Sequence, residues 1–400
     1  MGAHRLRNPI RRYAWGSRTA LPDLLGAPSP SAEPWAELWI GAHASAPSEV
    51  EIGGAWRSLR AWVEDRPARV LGEHVLARFG AQLPFLLKVL AVEEPLSLQL
   101  HPDAAHSAEG WAREEAARVP ADAPERRYPD ANPKPELVCA LGPFEALCAF
   151  RETAVIRARA ATLGSPRLAA LFAEIADGAP PGAILGALLR LAADEQRALA
   201  DELVARARDA RTAEPPLLWL LRLAERYPGD VACLAPLLLH HVRLAPGDAL
   251  YLQPGDLHGY LHGTALEVMA SSDNVLRAGL TPKPVDREAV LGALRGEASE
   301  PPRVVPTPGG PGETVYSPPT EWFRLALVRA DRGAPLACET SRGAEVLLCL
   351  EGAGEIAASN GLGALPLARG EAAFVTGDTA RYEVRGTVTL ARASAAVTHG

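Results

Sequence analysis

Apolar and polar positions alternate with two different periods along this chain of 400 residues, and the changes of period divide it. From residue 1 to about 150, short runs alternate side by side as strands do, punctuated by Trp, Pro and Gly. Helical intervals interrupt them near Ser58–Phe79 and Asp103–Ala117. From about Arg151 the apolar residues recur at helical spacing. Ser165-Pro166 reads as a helix start, with Ser as cap and Pro at the first helical position, leading into Arg167–Ala176. Gly178–Pro181 breaks that helix; Gly182–Leu191, Asp194–Ala210, Leu217–Tyr227 and an Asp230-capped Val231–His240 follow. Strand alternation returns at Ala249–Gln253, with turn words at Pro254-Gly255-Asp256, His262-Gly263 and Pro282. Short strands with frequent turns predict a sandwich or barrel. After a helix at about Asp286–Arg295, the Pro- and Gly-crowded segment Pro301–Pro319 reads as a linker. Alternation resumes in Arg324–Val328, Glu345–Leu350, Gly354–Ala358, Ala373–Val375 and Thr387–Leu390. The pattern therefore predicts a mainly β protein with a helical insert. No polar cluster converges in that insert, so a structural role is expected for it.

The length exceeds one ordinary core and implies two or three domains. A net charge of −7 argues against a nucleic-acid binder, which would carry a basic patch or stripe. No apolar run reaches membrane-spanning length. The first residues have no hydrophobic stretch behind their basic ones, and Arg5-Leu6 does not suit myristoylation, so neither a secretory signal nor a lipid anchor is expected. The five cysteines (Cys139, Cys148, Cys233, Cys338 and Cys349) are scattered in apolar runs without a Cys-x-x-Cys pair. Buried free thiols in a reducing cytoplasm follow.

Candidate chemistry begins at Ser97-Leu98-Gln99-Leu100-His101-Pro102-Asp103. In a strand, Gln99 and His101 project from one face, and Pro102 ends the ladder so that His101 stands at a strand terminus. Asn132-Pro133-Lys134-Pro135-Glu136 holds an amine and a carboxylate in a proline-stiffened segment, and His258 follows Gln253-Pro254-Gly255-Asp256-Leu257. Two imidazoles, a carboxylate and an amide oxygen form a four-ligand set for zinc. Each residue also has a plainer reading: a hydrogen-bonded histidine at a strand end, a solvated glutamate, an amide that rarely binds metal.

These segments resemble the signatures of the type I mannose-6-phosphate isomerases. The match includes Tyr13-Ala14-Trp15-Gly16-Ser17, Pro34–His43, Leu83–Leu90, the Gln99-x-His101 strand, Lys134-Pro135-Glu136, Leu257–Leu261 and the long run Glu267–Lys283. The resemblance runs in order from about residue 10 to 290. It implies cupin-type (jelly-roll) β-sandwich domains plus the helical insert. The catalytic metal-binding domain would comprise 1–150 and 241–300, the insert 151–240, and a second cupin-like domain without metal 315–400. That second half has no histidine in its core strands; beyond His262 the only one is His399. The resemblance further implies one zinc ion per chain on Gln99, His101, Glu136 and His258, and interconversion of mannose 6-phosphate and fructose 6-phosphate. Its catalytic arginine falls on Arg277 and its active-site lysine on Lys134. A cytoplasmic monomer acting on a small sugar phosphate, with no nucleic-acid or membrane partner, is expected.

Aldose–ketose isomerisation moves a proton between neighbouring carbons and develops an enediolate, which a zinc Lewis acid stabilises. Lys134, two residues from Glu136, is a proton carrier or a phosphate ligand; Glu267 is the rival base or a salt-bridge partner of Lys88 or Arg277. The phosphate calls for forked donors, so Arg277 and Lys88 are candidates, with Ser97 as a neutral donor. Trp15 is positioned to stack on the sugar or to fill the core, and Asp273 to meet sugar hydroxyls or cap a turn. One departure stands out. Relatives of this kind commonly read Asn-His-Lys-Pro-Glu, where this chain has Pro133, which cannot move a proton to open the sugar ring. The competing readings are an iron cupin oxygenase held by two His and one carboxylate, and a non-catalytic sugar-phosphate binder; Gln99 and Arg277 weigh against both.

Overall fold

The computed structural model describes residues 2–120, 123, 126–209, 214–340, 343–358 and 363–396. Its strands form two antiparallel sheets of ten and eleven strands. The ten-stranded sheet runs Arg303–Val304, Ala249–Leu252, Glu136–Phe150, His258–Ala270, Phe85–Val92, Glu37–Gly41 and Ile10–Arg11. Leu98–Leu100 pairs with His258–Ala270 on one side and Leu276–Gly279 on the other, and Leu239–Leu244 pairs with Glu136–Phe150. The eleven-stranded sheet is built mainly by residues 307–394. Ala3–Arg7 joins it, with Ala3 opposite Val375, and Glu49–Ile52 and Ala55–Ser58 extend the same edge. The N-terminal strand thus ties the two sheets together.

The two-residue period of a strand decides what each sheet offers its neighbour. Leu87, Val89 and Ala91, Leu137 and Cys139, and Leu266 and Val268 face a core shared with Val346, Leu348, Phe374, Ala391 and Ala393 of the other sheet. Full burial of each Leu, Val or Phe contributes about 1.5–3 kcal/mol. The alternate positions of the same strands point the other way. Lys88, Glu136 and Glu267 are among them, all buried. The strands that make the core therefore aim the charged residues at the opposite face.

Helices Thr153–Thr162, Pro166–Ala173, Pro181–Arg190, Ala193–Asp209 and Pro215–Arg226 form the insert. Ser165 caps the second as expected, accepting from the Leu168 N–H at 3.1 Å. The insert's core includes Leu98, Leu100, Leu276 and Ala278, so the helices back the two short strands that carry Gln99 and Arg277. Three local expectations change. The Ser58–Phe79 interval is three short helices, interrupted where Pro67 starts the second and positive-φ Gly72 separates it from the third. Past the Asp230 cap, the expected helix to His240 lasts only through a 3-10 turn and Ala235–Leu238 before Leu239–Leu244 enters the sheet, where Cys148 and Leu147 pair with His240 and His241. The Pro301–Pro319 segment does pass between the sheets, but it carries Arg303–Val304 in one and the hairpin Thr307–Gly310 and Glu313–Tyr316 in the other. Ala210, the expected end of one helix, and His399 lie outside the described residues.

Candidate metal centre and active site

Register brings distant parts of the sequence together. Gln99 lies opposite His258 on one side and Arg277 on the other. Lys88 lies between Trp39 and Glu267. Glu136, at the start of its strand, lies opposite Met269 of the neighbouring strand. Residues from six strands thus share one patch of sheet.

At its centre His101, Glu136 and His258 each offer a ligand atom within 4.8 Å of the others, and all three are buried. Glu136 Oε1 is 3.1 Å from His101 Nε2, and Oε2 is 3.5 Å from His258 Nε2. The far ring nitrogens are spoken for: His101 Nδ1 donates to the Asn274 carbonyl at 2.7 Å and His258 Nδ1 to the Asp256 carbonyl at 2.9 Å. Those bonds fix the tautomer and leave both Nε2 atoms as bare lone pairs. Neither Nε2 has a hydrogen-bond partner. Burial pushes the His101 imidazole down to about 4, so it is neutral at physiological pH. Burial alone would raise the Glu136 carboxyl, but the Lys134 ammonium 3.0 Å away opposes this and the carboxyl lies well below the usual range. Three acceptors without a proton between them repel one another, and a cation resolves the conflict. Tetrahedral zinc with bonds of about 2.0–2.1 Å holds neighbouring ligand atoms about 3.4 Å apart, which these spacings match. The residues present fit a zinc ion.

Beside this cluster is a cavity of about 380 Å³. Glu136 and Gln99 are in its wall, together with Trp15, Lys88, Ser97, Lys134, Glu267, Asp273 and Arg277. Lys88 Nζ is 3.0 Å from Glu267 Oε2. Burial disfavours that ammonium, yet Glu267, Glu37 and Glu136 together raise its proton affinity above that of an ordinary lysine. Burial raises the Glu267 carboxyl, with Lys88 opposing. Ser97 Oγ donates to Gln99 Oε1 at 3.2 Å, orienting the amide. Trp15 stacks on Tyr13 at 5.7 Å between centroids, at the cavity wall. Asp273 stands at the rim, 3.4 Å from the buried His43 Nε2. Asn274 is fully buried and donates to the carbonyls of Asp130 and Asn132, both at 2.8 Å, so the segment before Lys134 is pinned to the segment that orients His101.

The sequence of this chain matches the model of the phosphomannose isomerase type I catalytic domain over residues 3–153. It is 40% identical to the mannose-6-phosphate isomerase of Escherichia coli strain K12 over 394 residues, 97% of this chain and 98% of that one. The chain belongs to the type I phosphomannose isomerases. Arabidopsis thaliana mannose-6-phosphate isomerase 1 is 34% identical, with 94% of this chain and 89% of that one covered. A zinc-bound crystal structure of mannose 6-phosphate isomerase superposes with a TM-score of 0.90 at 36% identity, covering 99% of this chain and 100% of that one. The fold is accordingly the cupin-type fold of the phosphomannose isomerases, mainly β with helices.

Every candidate residue drawn from the sequence lies in the metal cluster or lines the cavity. Other residues of the site were missed. Tyr260 lines the cavity and its hydroxyl is 3.5 Å from Glu136 Oε2; it is two residues beyond His258, so strand alternation places both on one face. Glu37, which accepts from Trp39 Nε1 at 2.5 Å, follows the same rule. Lys283 was signalled by composition. Of 41 cationic residues only Lys88, Lys134 and Lys283 are lysines, and all three line this cavity. Wherever positive charge alone suffices this chain uses arginine, so a retained amine marks a position where a guanidinium does not serve.

Proposed function

We propose that the protein is a zinc-dependent aldose–ketose isomerase that interconverts mannose 6-phosphate and fructose 6-phosphate. The observation that carries this reading is the buried His101–Glu136–His258 cluster, its bare Nε2 atoms beside a cavity walled by three lysines and Arg277. Relatives named mannose-6-phosphate isomerase and a zinc-bound structure of that enzyme support it. Gln99, in register with His258 and lining the cavity, is the fourth ligand in this reading.

Zinc, when bound, supplies the Lewis acid that lowers the cost of the enediolate charge. The remaining steps belong to side chains. Isomerisation needs one proton moved between neighbouring carbons and another between their oxygens. Lys134, beside Glu136, and Glu267, beside Lys88, are the two carriers facing the cavity, and we assign them that pair of transfers. Arg277 offers a planar fork to the anion, Trp15 a flat wall to the sugar, and Ser97 and Asp273 polar atoms to its hydroxyls. The five cysteines, all buried and free, accord with a reducing cytoplasm. No described helix is long and apolar enough to cross a membrane.

The test is a coupled assay in which mannose 6-phosphate is the substrate and phosphoglucose isomerase converts the fructose 6-phosphate formed to glucose 6-phosphate, which is then oxidised and followed optically. Activity is expected, lost on exhaustive chelation and restored by zinc. Absence of product, or full activity without metal, would overturn the reading.

A further expected result concerns Pro133, which has neither a side-chain donor nor an N–H. His43 does not itself line the cavity and meets it through Asp273 and Trp39, so any help it gives with ring opening is indirect. Pro133→His is expected to raise turnover at saturating cyclic substrate with zinc content unchanged. Unchanged or lower turnover at full zinc would show that ring opening does not limit the rate.

A further inference from the structure

A recess of about 560 Å³, lined by His43, Ser45, Asp130 and Ser271, meets the catalytic cavity at Asp273. Among the described residues, Asp273 alone lines both spaces. Its backbone is fixed. The Asp273 N–H donates to Asp130 Oδ2 at 2.9 Å, and the same oxygen accepts from Ser272 Oγ at 3.1 Å. Its side chain is 44% exposed, so packing does not choose between rotamers that face one space or the other.

His43 supplies that choice. Its ring is 3% exposed and stands edge-on to Trp39, 4.8 Å between centroids. The loop that carries it is closed by Ser48, whose N–H donates to the Gly41 carbonyl at 2.8 Å. Ser48 Oγ accepts from the Gly41 N–H at 3.1 Å. The Ser45 N–H donates to His43 Nδ1 at 3.3 Å, so Nδ1 is an acceptor and Ser45 Oγ, 3.0 Å away, is its second donor. Burial pushes the ring down to about 4; Asp273 opposes this, and Lys88, Lys134 and Arg11 add to it. A neutral ring whose Nδ1 accepts carries its one proton on Nε2. That nitrogen is 3.4 Å from Asp273 Oδ1.

We infer that His43 is a positioning residue for the reaction: its Nε2–H holds Asp273 Oδ1 and leaves the other carboxylate oxygen to a sugar hydroxyl in the cavity. This rests on the isomerase reading for the sugar, but not for the pairing of the two side chains. A neutral donor suits the task, because it orients the carboxylate without cancelling its charge as an ammonium or guanidinium would. Without that donor, the recess gives the carboxylate a second place to turn.

The experiment compares two substitutions of nearly equal length in the zinc-loaded protein. His43→Gln keeps an N–H donor near the place of Nε2, whereas His43→Met fills the space without one. Both are also made in an Asp273→Ala background, and zinc content, thermal midpoint, kcat and KM for mannose 6-phosphate are measured throughout. His43→Met should raise KM about tenfold, the value of one hydrogen bond to a charged group, with a smaller change in kcat. His43→Gln should recover most of that loss. In the Asp273→Ala background, His43→Met should change KM less than about twofold, since the ring acts through that carboxylate. Equal losses from the two substitutions, or the same loss with and without Asp273, would make His43 a packing residue of its loop and end the inference. Parental kinetics in His43→Met at full zinc would end it as well. If His43→Met does not fold, His43→Asn, whose shorter amide does not reach Asp273, replaces it in each comparison. Imidazole nitrogen resonances read the pairing without turnover, and the His43 Nε2–H signal should move in Asp273→Ala. A stationary signal refutes the pairing. A signal that moves, in a protein that does not isomerise mannose 6-phosphate, keeps the pairing and sinks the isomerase reading.

Discussion

His101→Ala is expected to remove zinc and isomerase activity together. The residue supplies one of three buried donors, and its Nε2 has no alternative partner in the fold. Loss of an outer-shell partner alone typically costs 10–100-fold in metal affinity, so loss of a ligand should exceed about 100-fold. Catalysis falls with occupancy, because the enediolate charge then lacks its Lewis acid. Stability should fall as well. A metal present at about a hundredfold over its Kd contributes about 2.7 kcal/mol, which chelated parent protein also lacks. The Asn274 carbonyl additionally loses its donor, a further cost of about 1–3 kcal/mol for a buried acceptor left unpaired. The thermal midpoint of His101→Ala should therefore lie at or below that of the chelated parent. Zinc per chain, coupled-assay rate and midpoint are the three readings. Full zinc occupancy in the variant would refute the ligand assignment.

Arg277→Lys should keep the fold and the zinc while losing most of the activity. The side chain is more than half buried, unpaired among the described residues, and part of the cavity wall. A guanidinium there can make two parallel contacts to a phosphate or enediolate oxygen pair, which a single ammonium cannot reproduce. Losing one charge-assisted contact corresponds to roughly 1.5–3 kcal/mol, or about tenfold to a hundredfold in rate. Near-parental kcat/KM, with circular dichroism and zinc content unchanged, would leave Arg277 a purely structural role.

The parts of this site that were legible in the sequence were those set by local periodicity. A strand of period two fixes Gln99 and His101 on one face, and the same rule applied once more would have found Tyr260 and Glu37. Caps behaved likewise: Ser165 accepts from the Leu168 N–H and Asp230 from the Ala232 N–H, as expected of them. Where the chain is subject to tertiary pairing, local reading failed. His240 sits in a run that is locally helical, yet the edge of the Glu136–Phe150 strand captures it. The prolines of the 301–319 segment tolerate edge strands, so a linker composition concealed three of them.

By itself, then, the sequence determined the mainly β class and the family, and through the resemblance it nominated four candidate ligands, because each motif is written in residue type and short spacing. Tertiary structure alone decided three things. Register across strands set Gln99 between His258 and Arg277 and Lys88 beside Glu267, contacts between residues far apart in the chain. Folding assigned Ala3–Arg7 to the sheet of the C-terminal half, since an unpaired strand edge takes whichever partner the packed core presents. It also decided which cations keep a carboxylate and which do not, for pairing depends on distance through space. Among the described residues, Arg277 and Lys283 keep none, and both line the cavity.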